Sequence, residues 1–150
     1  MRLVIQRVDK ASVEIEGVLH SSIGCGLMVL VGVREGATMD AVHWLAQKTV
    51  NMRIFDDEAG VMNRSVADVG GEVLAVSQFT LNASTRKGNR PSYIHAAGHD
   101  LAIPLYEAYV AEVQSLLGRE VKTGVFGADM KVSLINNGPV TIIIDSELKE

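Results

Sequence analysis

Residues 27–33, Leu-Met-Val-Leu-Val-Gly-Val, carry no polar side chain, so an extended segment there cannot turn a wet face outward. A strand of this kind needs cover on both sides, and the core must therefore be layered. The chain has 150 residues, enough for one domain that buries roughly two-thirds of the surface its unfolded form exposes. With hydrophobic residues at 47% and charged residues at 21%, it has globular composition. Other runs supply further strands. Residues 3–8 read as one strand and 11–18 as a second, with Val13 and Ile15 inward and Ser12, Glu14 and Glu16 in water. The connection Asp9-Lys10 is of hairpin length. Residues 73–76 form a short buried strand after the tight turn Gly70-Gly71. Residues 131–135 and 140–144 make two more, and Val61 and Met62 a short return strand.

Two segments have helical periodicity. From a cap at Thr38 or Asp40 to about Met52, the residues Met39, Val42, Leu45, Ala46, Thr49 and Val50 form one stripe. Trp44 lies off it, packed either locally or in a subunit interface. From Asp100 to Leu117 the stripe is Leu105, Tyr109, Val113, Leu116 and Leu117, with Pro104 in the first turn and Gly118 as terminator. These elements predict a single β-rich α+β domain of mostly antiparallel, barrel-like sheet with two main helices, because most links are too short for crossovers. The lone Cys25, between Gly24 and Gly26, reads as a small core residue in a reducing compartment. No run nears membrane-spanning length and no leader pattern opens the chain, which points to a cytoplasmic protein without membrane contact. A net charge of −4 argues against broad nonspecific nucleic-acid binding but permits a local basic patch.

Three stretches break the local rules. The apolar run 73–76 passes within one pleat into Ser77-Gln78-Phe79-Thr80, either a strand leaving the core or a rigid strand end that addresses a polar ligand. The segment 82–91 holds Arg86, Lys87 and Arg90 with no acidic residue, either a solvated loop or a phosphate-contacting one. Asn136-Asn137-Gly138-Pro139 reads as a hairpin turn, yet the proline removes a hydrogen-bond donor at the mouth of a β-branched strand. His95 and His99 have the spacing of a helical metal pair, but Gly98 separates them and the helical pattern starts after them. No metal or other cofactor is expected. His20 and His43 read as surface residues, and neither a nucleophile elbow nor a phosphate-binding loop is present.

Residues 77–81, Ser-Gln-Phe-Thr-Leu, together with 136–141, Asn-Asn-Gly-Pro-Val-Thr, resemble the motif pair of the D-aminoacyl-tRNA deacylases. The likeness extends to Gln6-Arg7-Val8, Arg90-Pro91-Ser92-Tyr93 and Phe126-Gly127-Ala128-Asp129-Met130, and so covers nearly the whole chain. It implies a homodimeric, cofactor-free hydrolase that cleaves the ester between a D-amino acid and the terminal adenosine of tRNA. On that resemblance Thr80, Ser77, Gln78 and Phe79 form the catalytic strand end. Gly138, Pro139, Asn136, Phe126 and Arg7 are implied on the substrate side, with a cis Gly138–Pro139 unit entering the partner's site, braced by Arg7, to exclude L substrates. Arg86, Lys87 and Arg90 would meet acceptor-stem phosphates. Glycyl-tRNA, lacking a side chain to reject, would also be cleaved. A noncatalytic nucleic-acid-binding dimer of the same fold and a small-molecule esterase are the rival expectations.

Overall fold

The computed structural model describes residues 1–149. Its longest feature is the pairing of the first and last strands. Strand β1 (Arg2–Ile15) runs antiparallel to β8 (Met130–Asp145) along almost its full length. The other edge of β1 has two partners. Residues 2–8 pair antiparallel with β3 (Gly26–Gly32), and residues 11–15 with β2 (Val18–Ile23). Asp9 and Lys10 stand exposed where the partner changes, and the β8 register shifts there. They are thus a kink within one strand and not the hairpin expected; the reversal comes at Glu16-Gly17, both at positive φ.

The same correction applies at the other end of the chain. Residues 131–135 and 140–144 belong to one strand, and Asn136–Pro139 is an irregularity inside it, because both halves pair with β1 in the same direction. A hairpin would have sent the second half to a different neighbour. The rest of the sheet is parallel: β3 pairs with β6 (Glu72–Ser77) and β6 with β7 (Lys122–Thr123). The crossover from β3 to β6 carries α1 (Met39–Asn51) and a small antiparallel pair, β4 (Phe55–Asp56) and β5 (Met62–Arg64). Val61 lies just outside β5 and is exposed. The sheet is mixed, mostly antiparallel and nearly closed on itself, as the α+β expectation required.

The doubly apolar strand does have two covers. Leu27, Val29 and Val31 of β3, with Val73 and Ala75 of β6, face the helices, where they meet Val42, Leu45, Ala46 and Val50 of α1. Leu105, Tyr109, Val113 and Leu117 of α2 (His99–Leu117) complete that core. The opposite side chains, Met28, Leu74 and Val76, join Val8, Ala11, Val13 and Ile23 in a second core inside the curled sheet. Met39 and Leu116, expected in the helical stripes, are exposed; Tyr106, off the expected stripe, is buried and donates to the Ala75 carbonyl at 2.9 Å. Trp44 packs locally against the first core, with the Lys48 and Lys149 ammonium groups 5.6 and 5.4 Å from its ring. Cys25 is exposed rather than a core residue, since the chain turns outward between the two glycines. Among the described residues no helix is long and apolar enough to cross a membrane.

Candidate active site

Strand β6 ends at Ser77, and the chain tightens at once into a short 3-10 turn, Phe79–Asn82. Glycine at position 32 makes this possible. A Cβ there would sit 2.9 Å from the Leu81 Cβ and 3.1 Å from the Gln78 carbonyl oxygen, so the turn lies directly on the β3 backbone. Buried Asn82 closes the turn from beneath by donating to the Val33 carbonyl at 3.0 Å. The Gln78 N–H is taken by the Val31 carbonyl and the Leu81 N–H by that of Gln78. Between them, the N–H groups of Phe79 and Thr80 have no acceptor among the described residues. Two consecutive free donors on a rigid turn are a ready place for developing negative charge. The Gln78 side-chain amide donates to Thr80 Oγ1 at 2.5 Å, which occupies one hydroxyl lone pair and leaves its proton free to donate elsewhere.

A cleft of about 570 Å³ opens beside this turn, lined by Ser77, Gln78 and Phe79 on one side and by residues 126–130 on the other. Phe126, half-buried, is flanked by His99 at 5.5 Å between ring centroids and by Tyr106 at 6.1 Å. His99 and Tyr106 also line the cleft, and sequence reasoning did not select them for it. The signal was faint: both sit at helical positions that only the docking of α2 turns toward Phe126. Burial pushes the Tyr106 hydroxyl up from 10.0 to about 12, so it stays a neutral donor.

The second motif lies elsewhere in the chain. The Gly138–Pro139 peptide is cis, both residues are exposed, and neither lines the cleft of its own chain. Gly138 has φ +129, and a Cβ there would meet Val140 Cγ2 at 2.8 Å and the Arg7 guanidinium at 3.0 Å, so this close approach belongs to glycine. Arg7, almost wholly buried, donates from Nε to the Asn137 carbonyl at 3.1 Å, one peptide before Gly138. Its NH1 reaches the Ile54 carbonyl at 2.8 Å and the Asp56 carboxylate at 3.3 Å. β4, unremarkable in sequence, thus anchors the bracing arginine. Asn136 turns inward upon its own strand: Oδ1 accepts the Val140 N–H and Nδ2 donates to Thr141 Oγ1, each at 3.0 Å. Within one chain, then, the strand-end motif and the Gly-Pro motif occupy separate surfaces.

Arg86, Lys87 and Arg90 are exposed and form no ion pair among the described residues. Their loop is stapled at its neck by paired Ser84–Ser92 backbone bonds of 2.8 and 2.9 Å. Tyr93, next in sequence, packs edge-on against Phe79 at 5.1 Å, which joins the loop to the strand-end turn. His20 and His43 lie exposed, outside the cleft. No three His, Cys, Asp or Glu side chains cluster for a metal among the described residues.

A barrel-like α+β protein that ends a buried strand in free amide donors beside an aromatic cleft has the equipment of an ester-cleaving enzyme. Residues 4–145 match the family model described as D-Tyr-tRNA(Tyr) deacylase. A D-aminoacyl-tRNA deacylase of Parabacteroides distasonis is 61% identical, and one of Phocaeicola vulgatus 60%, over the whole of both chains in each case. Among solved structures, a c-Myc DNA unwinding element binding protein superposes with TM-score 0.93 at 38% identity, over 97% of this chain and 99% of that one. A probable eukaryotic D-amino acid tRNA deacylase, at TM-score 0.80 and 18% identity over 95% and 97%, shares the fold. The chain belongs to the D-Tyr-tRNA(Tyr) deacylase family, a family of hydrolases.

Proposed function

We propose that this protein acts in the cytoplasm to hydrolyse the ester between a D-amino acid and the 3′-terminal adenosine of tRNA, sparing the L-aminoacyl ester. The observation that carries the reading is the pair of N–H groups at Phe79 and Thr80 that have no acceptor among the described residues, Phe79 lining the Phe126 cleft and Thr80 next to it in the turn. Water adds to the ester carbonyl, and the two N–H groups take the charge that develops on its oxygen, a contribution of roughly 3 to 4 kcal/mol. The vicinal 2′-OH of the terminal ribose assists proton movement. The C–O3′ bond then breaks, O3′ leaves as a hydroxyl, and the D-amino acid departs as its carboxylate. Thr80 acts as a donor that orients the reacting groups and not as a nucleophile, because its hydroxyl already accepts from Gln78 and, among the described residues, has no basic side chain bonded to it. Ser77 and Gln78 position the ester, and Phe126 forms a wall for the adenine.

Chiral selection belongs to a second copy of the chain. Gly138 and Pro139 are exposed and separate from their own cleft, and Ile135 and Ile143 on the same strand are exposed at 48% and 67%. A homodimer that buried this strand would carry the Gly-Pro backbone carbonyls into the partner's cleft. An L and a D side chain differ only in their direction from Cα, so a rigid carbonyl wall suffices to refuse one of them. Glycine, with nothing to refuse, is cleaved as well. Arg86, Lys87 and Arg90 contact acceptor-stem phosphates, and binding therefore weakens with salt.

The deciding experiment compares hydrolysis of matched D-, L- and glycyl-tRNA with that of a free D-amino acid ester. Cleavage of D-aminoacyl- and glycyl-tRNA with L-aminoacyl-tRNA spared is expected, and equal cleavage of both enantiomers would overturn the reading. The likeness to a DNA unwinding element binding protein favours one rival, a noncatalytic nucleic-acid-binding dimer, which would bind tRNA in the same assay and release no amino acid.

A further inference from the structure

We propose that Arg2 is a positioning residue for hydrolysis, holding the 3-10 turn at the angle that aims the Phe79 and Thr80 N–H groups; this rests on the deacylase reading of that turn. Arg2 and Asp145 are direct cross-strand partners at the open end of the β1–β8 ladder. Arg2 Nε and NH2 each lie 2.9 Å from Asp145 Oδ2, and NH1 donates to the Leu81 carbonyl, also at 2.9 Å. One planar guanidinium thus ties the carbonyl next to Thr80 to the ends of two strands, and its rigid fork leaves the turn little freedom to tilt. Asp145 is itself held, with Oδ1 accepting the Glu147 N–H at 2.9 Å. Although partial burial pushes its carboxyl up, that N–H and Arg2 bring it below its ordinary range.

The turn is also held by the β3 backbone beneath Gly32, the Gln78 N–H on the Val31 carbonyl and the Asn82 amide on the Val33 carbonyl, all from the β3 side, and by Tyr93 against the Phe79 ring. Among the described residues, Arg2 supplies its side-chain hydrogen bond to the ends of β1 and β8, the strand that also carries Gly138 and Pro139. Without Arg2 the turn keeps its fold and its cleft but can rock about the β3 contacts. Donors that act on charge present only in the transition state suffer most from such rocking, whereas ground-state binding suffers little. The loss should fall on kcat.

The test uses the full-length protein with D-aminoacyl-tRNA as substrate. Arg2→Met is expected to lower kcat by about tenfold with KM within about twofold, and to shift the Phe79 and Thr80 amide resonances. Asp145→Asn removes the charge and lowers Tm, but its amide oxygen can still accept from Arg2, so the fork stays anchored and kcat should stay within about threefold of wild type. Should Arg2→Met fail to fold, Arg2→Lys keeps the charge yet cannot serve Asp145 and Leu81 together, and the same kcat loss is expected. A kcat within about threefold of wild type for both Arg2 variants would overturn the proposal. So would a loss carried by KM alone, or an equal kcat loss in Asp145→Asn. Failure of the wild type to cleave D-aminoacyl-tRNA would sink the deacylase reading, while unmoved Phe79 and Thr80 resonances in Arg2→Lys would sink the positioning role alone.

Discussion

Thr80 shows how a residue's chemistry is set by its neighbours. As a bare hydroxyl at a strand end it is a candidate nucleophile, but the Gln78 amide on Oγ1 makes it an acceptor of one bond and a donor of the next. Thr80→Ala should therefore lower kcat by about 10- to 100-fold without abolishing hydrolysis, the cost of one lost hydrogen bond with the backbone donors kept. Trapping an acyl ester on Thr80 would contradict this. Tyr106 gives a stability prediction. Burial raises its hydroxyl from 10.0 to about 12, so the folded protein keeps this proton to higher pH than the unfolded chain. Its contribution is fully present below pH 10 and fades as pH rises from about 10 to about 12. Buried Tyr109 is pushed up too; it donates to Thr49, whose own hydroxyl proton goes to the Leu45 carbonyl. Tyr106→Phe should lower Tm at neutral pH by about 2–4 °C, for about 1 kcal/mol of lost hydrogen bonding. It should also soften the alkaline fall in Tm, and an unchanged slope between pH 9 and 11 would count against the assignment.

At the scale of elements, partners decided what local pattern left open. The runs 3–8 and 11–18 have strand periodicity, but nothing local says that they continue as one strand with a partner change at Asp9-Lys10. Asn136-Asn137-Gly138-Pro139 has hairpin composition, and only the β1 ladder on both sides of it reveals an irregularity inside a strand. The helices were more legible because a stripe of apolar residues describes one face without reference to a partner; their exposed ends, Met39 and Leu116, were where that signal failed. The basic loop belongs here as well. Its stapled neck and the Phe79–Tyr93 contact set Arg86, Lys87 and Arg90 beside the turn without placing them in the cleft. Replacing Arg86 and Lys87 with Ala should raise KM for tRNA substrates and reduce the slope of log KM against log salt by up to about 2. If neither quantity moves, the loop is only solvated.

For the whole molecule, the main observation is that Gly138 and Pro139 do not line the cleft of their own chain; the homodimer proposed above would supply them from another. Mixed dimers test this directly. A Gln78→Ala chain paired with a Gly138→Ala chain holds one site with both defects and one with neither, provided that the motifs meet across subunits. Free exchange makes about half of the dimers mixed, each with one intact site of two, so mixing the two impaired variants should bring D-specific activity to roughly a quarter of wild type. No gain on mixing, with subunit exchange verified, would overturn a site shared between subunits.

The sequence by itself determined the layered core, the two helices, the α+β class and the motif residues. Each follows from periodicity or from residue types that are short-range properties of the chain. Tertiary structure alone decided that the Phe79 and Thr80 N–H groups find no acceptor among the described residues, that Ile54 and Asp56 anchor Arg7, that α2 brings His99 and Tyr106 to Phe126, and that Arg2 reaches Leu81. Those are contacts between residues far apart in sequence, and their energies depend on which strand ends and helix faces the fold brings together.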